Sequence, residues 1–277
     1  MIKQRVITAL ILAPLMVIGI FFLPFEQFAV FIAFIATVGA WEWANIAGYE
    51  RRWERVGYAL LVLATLSVSG TGPEALVYYL VIGSLWWATA FVLVKRYPEA
   101  THWWNAREMR ALLGLCVLIP MWGGFMFLKQ QPHSSLLILL VMLIIWGADT
   151  GAYFSGKRWG KAKLAPNVSP GKSWAGFWGG VATSLLVGLL FGVCIDMWIQ
   201  PLTMIDYTQL LLVVGITTVV SVLGDLVESM MKRYRGIKDS SSLLPGHGGV
   251  LDRIDSMAAA VPVFALCIYW TDWGWMA

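Results

Sequence analysis

Residues 207–231 read YTQLLLVVGITTVVSVLGDLVESMM, an apolar run whose charged members are Asp225 and Glu228 near its end. A helix that crosses a bilayer needs about 20 mainly apolar residues, and this stretch supplies them. A carboxylate held in hydrocarbon costs several kcal/mol unless it is paired. Asp225, Glu228, Ser229 and Lys232 recur at helical spacing, so they form one polar stripe. That stripe must face protein or a water-filled cavity. The stretch therefore reads as a membrane helix with equipment for chemistry at one end.

Working outward, the same rule finds eight further segments, at about 6–23, 27–47, 56–70, 75–94, 111–128, 135–154, 174–197 and 257–275. The composition agrees. Of 277 residues 59% are hydrophobic and 13% are charged, with a mean hydropathy of +0.71. Soluble domains carry about a quarter charged residues, so a soluble class is excluded. The expected fold is an all-α integral membrane protein of about nine transmembrane helices. The charged start and apolar run at the N-terminus resemble a signal peptide, but the run is long and no cleavage site follows, so it reads as a retained first span.

Loops facing the cytoplasm carry an excess of Lys and Arg. With the N-terminus inside, 19 of the 20 basic residues fall on that side and only Lys129 falls outside. This predicts a cytoplasmic N-terminus and an outer C-terminus. Trp41, Trp43, Trp103, Trp104, Trp270, Trp273 and Trp275 lie near span ends, where indole sits well at the headgroup level. Glu42, between two tryptophans, reads as interfacial. Cys116, Cys194 and Cys267 lack paired spacing and read as small buried hydrophobes. The basic loops 48–55 and 95–110 show no pattern beyond charge, and they read as serving topology and headgroup contact. Residues 1–134 form an N-terminal membrane region of about five spans. Residues 135–277 form a catalytic membrane region of about four, with long inner loops at 155–173 and 232–256.

The second of these loops begins as the apolar run ends, in SMMKRYRGIKDSSSLLPGHGGVLDRID, residues 229–255. It contains Asp239, Asp252 and Asp255, five cations (Lys232, Arg233, Arg235, Lys238, Arg253), and the turn Pro245-Gly246-His247-Gly248-Gly249. Glycines here can present bare N–H groups to an anion, or simply make a turn. Asp252 and Asp255 share a face of a helix start. Oxygen-only donors favour Mg²⁺ over softer metals, whereas placement at a helix N-terminus for the macrodipole would explain only one of them. His247 fits either a general base or a phosphate donor; His102 and His133 lie in loops and read as inert. In the first loop Ser169-Pro170-Gly171-Lys172-Ser173, with Gly176 a turn later, fits a phosphate seat or a helix cap. It is not a nucleotide P-loop. Asp149, inside a span, is a site candidate or one half of a structural ion pair.

Taken together, Ser229, Lys232-Arg233, Lys238-Asp239, Pro245 to Gly249 and Asp252-Arg253-Ile254-Asp255 closely resemble the signature of the phosphatidate cytidylyltransferases, or CDP-diglyceride synthases. Residues 146–156, which contain Asp149, and Ser169 to Ser173 with Gly176 resemble the same family, with no departure at a motif position. The resemblance covers most of the chain from about residue 140; the first half matches in hydropathy alone. It implies transfer of the cytidylyl group of CTP to phosphatidate, giving CDP-diacylglycerol and pyrophosphate, in phospholipid biosynthesis. It also implies Mg²⁺, an additional K⁺, a homodimer and a bacterial inner membrane with the site facing the cytoplasm. CTP, phosphatidate and membrane lipids are the partners, and nucleic acid is not.

Carried onto this chain, the metal ligands are Asp225 and Asp252, then Asp255 and Asp149. The catalytic set is Asp225, Asp252, Lys232, Arg233 and Asp255. Ser169, Lys172, Ser173, Ser229, Lys238, His247, Gly248, Gly249 and Arg253 bind substrate and phosphate. Two other readings stay open: a CTP-dependent polyisoprenol kinase, and an ion-coupled transporter with Asp149, Asp225 and Glu228 as its relay.

Overall fold

The computed structural model describes residues 2–271. Among them run nine α-helices: α1 (Ile2–Phe22), α2 (Phe25–Ala47), α3 (Arg52–Val68), α4 (Pro73–Lys95), α5 (Arg107–Gln130), α6 (Ser134–Trp159), α7 (Trp174–Trp198), α8 (Met204–Arg235) and α9 (Leu251–Trp270). Each contains most of one apolar segment found in the sequence. Six of them, α2 and α4 to α8, are long and apolar enough by themselves to cross a membrane. The architecture is that of an all-α membrane protein. Trp273, Trp275 and the expected outer C-terminus lie outside the described residues.

The helices outrun their apolar cores because polar helix formers and caps extend them. α8 begins in a capping box between Thr203 and Asp206 and ends where Gly236 turns left-handed at φ 74°. Its final turns, with Lys232, Arg233 and Arg235, therefore stay helical beyond the apolar stretch.

Small residues set the tightest crossings, as expected where lipid offers no hydrophobic drive between helices. α7 packs most extensively on α6, and α9 on α8. At Gly224 on α8, a Cβ would lie 2.4 Å from the backbone oxygen of Asp255 on α9. Only glycine lets these two acid-bearing helices approach so closely there.

The basic loops collect at one end of the bundle. Arg107 pairs with Glu54 at 3.4 Å, Arg235 with Glu50 at 3.0 Å, and Thr8 donates to the Pro245 carbonyl at 3.1 Å. At the other end Lys129 and Ser135 both donate to the Ile20 carbonyl, at 3.0 and 3.2 Å. Lys129 is thus separated from the other basic loops in space as well as in sequence.

Several expectations are corrected. The inner loops are not structureless within this all-α architecture: β1 (Lys163–Ala165) and β2 (Ser169–Ser173) form a short antiparallel hairpin, and Glu99–Trp103 is a 3-10 helix. Trp43 and Trp104 are buried in protein rather than at a headgroup level; Trp43 Nε1 donates to the Arg110 carbonyl at 2.8 Å. Arg110 is itself buried, with Nε donating to the Ala47 carbonyl at 3.0 Å. It braces helix ends instead of marking a loop. Glu42 is fully enclosed. Cys194 is exposed on α7 rather than buried in the core.

Candidate active site

At the basic end, α8 and α9 bring the polar stripe together with the glycine turn. Ser229 donates to Asp225 Oδ1 at 3.0 Å, four residues away on α8. One turn on, Lys232 Nζ bridges Glu228 Oε1 at 3.0 Å and Asp252 Oδ1 at 2.5 Å. Both carboxylates and the ammonium are largely buried, so the bridge is one of desolvated charges and breaking it is costly. Asp252 Oδ2 also accepts from Ser240 N, Ser240 Oγ and Gly249 N, at 3.0, 2.9 and 2.7 Å.

The glycine turn is held from the other half of the chain. Glu42 Oε1 accepts from Ser241 Oγ at 2.5 Å and Val250 N at 3.0 Å; Oε2 accepts from Leu251 N at 2.6 Å and Ser240 Oγ at 3.3 Å. Asn45, one turn further along α2, donates to the Ser240 carbonyl at 2.9 Å. A Cβ on Gly249 would lie 2.1 Å from Ser240 Oγ and 2.4 Å from Glu42 Oε1, so a side chain there would expel the carboxylate. The N–H groups around the start of α9 thus serve Asp252 and Glu42 in this structure. Glu42 meets the helix N-terminus as an anion should.

The hairpin adds the third element. β2 is Ser169-Pro170-Gly171-Lys172-Ser173 itself, running straight into α7. Ser173 caps that helix by accepting from Gly176 N at 3.1 Å. Ser169 pairs with Ala165 across the hairpin. This frame directs Lys172 across to α8, where Nζ lies 2.7 Å from Asp225 Oδ2. A pocket of about 230 Å³ opens beside that pair, lined by Asp149, Tyr153, Lys172, Ser173, Val222 and Ser256 among others. The cluster comprising Asp149, Lys172, Asp225, Glu228, Ser229, Lys232, Asp252 and Asp255 is therefore assembled from α6, β2, α8 and α9.

Other candidates sit at its margin. Arg253 donates from Nε and Nη2 to the His247 carbonyl at 3.1 and 2.8 Å, while its charge still reaches Asp149. Gly248 turns left-handed at φ 82° beside Asp252. Arg233 and Lys238 are exposed, and neither forms an ion pair among the described residues. His102 Nδ1 lies 2.9 Å from the Glu99 carbonyl, away from the cluster.

Asp149, Asp225, Glu228, Asp252 and Asp255 stand within electrostatic reach of one another, with Lys172, Lys232 and Arg253 as the cations among them. Five carboxyl groups face three cations in a partly dehydrated place, more acids than these cations can pair. Glu228 Oε2 is buried with no hydrogen-bond partner among the described residues. Both observations fit a bound cation, and the donors are all oxygen. Among the described residues no three acidic, His or Cys side chains form a ready-made metal cage. Mg²⁺ usually takes only one or two carboxylates and completes its shell with water and substrate phosphate.

The sequence reading missed two things. The hairpin had a signal, since Pro166-Asn167 is turn chemistry between its strands. Glu42 had none, because its tryptophan neighbours mimic an interface.

The comparisons bear on what this cluster acts upon. The cytidylyltransferase family profile matches residues 3–271. A phosphatidate cytidylyltransferase of Pseudomonas aeruginosa is 48% identical over 274 residues, 99% of each chain. One from Haemophilus influenzae is 38% identical, covering 96% of this chain and 98% of its own. One from Staphylococcus epidermidis is 42% identical over 149 residues, about half of each chain. The likeness to the first two spans both halves, including the half that supplies Glu42 and Asn45, so this chain belongs to the cytidylyltransferase family.

Proposed function

We propose that the protein transfers the cytidylyl group of CTP to phosphatidate, giving CDP-diacylglycerol and pyrophosphate. The observation that carries this is Lys172 on the wall of one pocket, paired with the half-buried Asp225, with Lys232 joining the buried Glu228 and Asp252 beside them, in a chain of this family. The reaction forms a bond between a phosphate oxygen of phosphatidate and the α-phosphorus of CTP. It breaks the bond from that phosphorus to the β-phosphate, which leaves within pyrophosphate. A phosphomonoester is already largely ionised near neutral pH, with a second pKa of about 6, so no strong base is needed. The work is positioning and charge neutralisation.

In this scheme Lys172, on the wall of the pocket, holds a phosphate of one substrate. Lys232 balances Glu228 and Asp252, which keeps the cluster rigid while Ser229 orients Asp225. Arg253, and the exposed Arg233 and Lys238, attract the triphosphate from solution. Ser169 and Gly248 line its approach, with His247 as a donor, whereas the Gly249 N–H is committed to Asp252 Oδ2. Asp225 and Asp252, with Asp255 and Asp149, would hold Mg²⁺, which when bound supplies the neutralising charge on the triphosphate. K⁺ and a homodimer rest on the family resemblance alone.

We also place nine crossings in a bacterial inner membrane, with the basic end and its site facing the cytoplasm, on the strength of the 19-to-1 charge distribution. Phosphatidate then reaches the cluster from the bilayer and CTP from water. The test is turnover of purified protein with CTP, phosphatidate and Mg²⁺. CMP label in the lipid and release of pyrophosphate are expected. Label from the γ-phosphate in the lipid would indicate a kinase instead, and no lipid labelling at all would sink the reading.

A further inference from the structure

An apolar crevice of about 520 Å³ lies between α4, the hairpin and α8, lined by Phe91, Val94, Val168, Val219, Leu223 and Leu226 among others. In a bilayer every such crevice has a default occupant, the tail of a bulk lipid. This one differs in its connection to the reacting site. Leu164 of the hairpin, Phe177 of α7 and Val222 of α8 line both the crevice and the polar pocket that holds Lys172 and Asp149. Val222 precedes Asp225 by three residues, a rise of about 4.5 Å along the helix. A phosphate on Lys172 would thus leave its glycerol at the shared wall and its tail pointing down α8. The crevice volume is in the range of about 300–1,000 Å³ typical of small-ligand pockets.

A second apolar cavity, of about 470 Å³, lies between α1, α2, α6 and α9 and is lined by Ile35, Met142 and Met257 among others. It shares no lining residue with the polar pocket. Arg253 and His247 stand at it, but the Arg253 guanidinium is turned onto the His247 carbonyl.

Resting on the function proposed above, we infer that the crevice between α4, the hairpin and α8 holds an acyl chain of the phosphatidate substrate. The lipid enters beside α4, its phosphate meets Lys172, and chain length is sensed by α8 and α4 rather than by the cavity beneath His247.

Val94→Trp and Val219→Trp fill the crevice without touching the charged cluster. Each should lower kcat/KM for dioleoyl phosphatidate about tenfold relative to dioctanoyl phosphatidate, roughly what loss of two buried methylenes predicts. Ile35→Trp, in the second cavity, should leave that ratio unchanged. A second measurement does not depend on turnover. In a cysteine-free background, alkylation of Val94→Cys should be slowed by dioleoyl phosphatidate and not by dioleoyl phosphatidylcholine or dioctanoyl phosphatidate. Equal loss on both chain lengths, a ratio that moves only with Ile35→Trp, or equal protection by phosphatidylcholine would overturn the assignment. Protection without turnover would instead leave the crevice standing and overturn the proposed reaction.

Discussion

Glu42 on α2 and Glu228 on α8 are both removed from solvent, on helices that flank the same start of α9, yet their surroundings differ. Glu42 has two donors on each oxygen. Among the described residues Glu228 has one lysine on Oε1 and no hydrogen-bond donor on Oε2. A buried carboxylate with every lone pair bonded is a clasp, because any change to it loses hydrogen bonds and leaves donors bare. One with spare valence, among more acids than cations, is ready to take on something further. The N-terminal half thus contributes the clasp and the C-terminal half the chemistry, and both converge on one loop.

The comparison can be broken first at Lys172. Lys172→Met leaves the clasp alone and removes a phosphate partner, so turnover should fall about 10²–10³-fold while thermal stability stays near that of the parent. A loss of stability equal to the loss of activity would show that Lys172 belongs with the clasp. Glu42→Ala should show the reverse pattern. It strips two backbone N–H groups and the Ser241 hydroxyl of their acceptor, while the Ser240 hydroxyl keeps Asp252, so unfolding in detergent should be easier by on the order of 3 kcal/mol. Glu42→Gln, which keeps the shape and one acceptor oxygen, should recover part of that. Were Glu42→Ala to unfold like the parent but bind no CTP, Glu42 would be part of the chemistry. The smallest effect is expected at Glu228. Glu228→Gln should raise the Mg²⁺ concentration for half-maximal turnover about tenfold, as changes around metal ligands commonly do. An unchanged Mg²⁺ requirement, measured by titration of activity, would place Glu228 beside Glu42 as a structural acid.

Much of this was legible from residues alone. Among the described residues each apolar segment falls largely within a helix because hydropathy and helical spacing are local properties. The stripe from Asp225 to Lys232 was legible for the same reason: Ser229 meets Asp225, and Lys232 meets Glu228, each four residues apart on one helix. The hairpin was legible in principle but was masked by Gly171 and Lys172 of β2, which look like a phosphate loop. Trp43 and Trp104 were misplaced because the rule that puts indole at headgroups does not know which tryptophans face protein.

By itself, then, the sequence determined the membrane class, the positions of the helices, the segregation of basic charge and the motifs that carry the family likeness. All of these follow from composition, period and order along the chain. The tertiary structure alone decided that Lys172 of β2 meets Asp225 of α8, and that Lys232 joins Glu228 to Asp252. It alone placed Glu42 against Ser240, Val250 and Leu251, some 200 residues away in the chain. Such contacts leave no local signature, because a carboxylate's fate is set by which donors the packed helices bring to it.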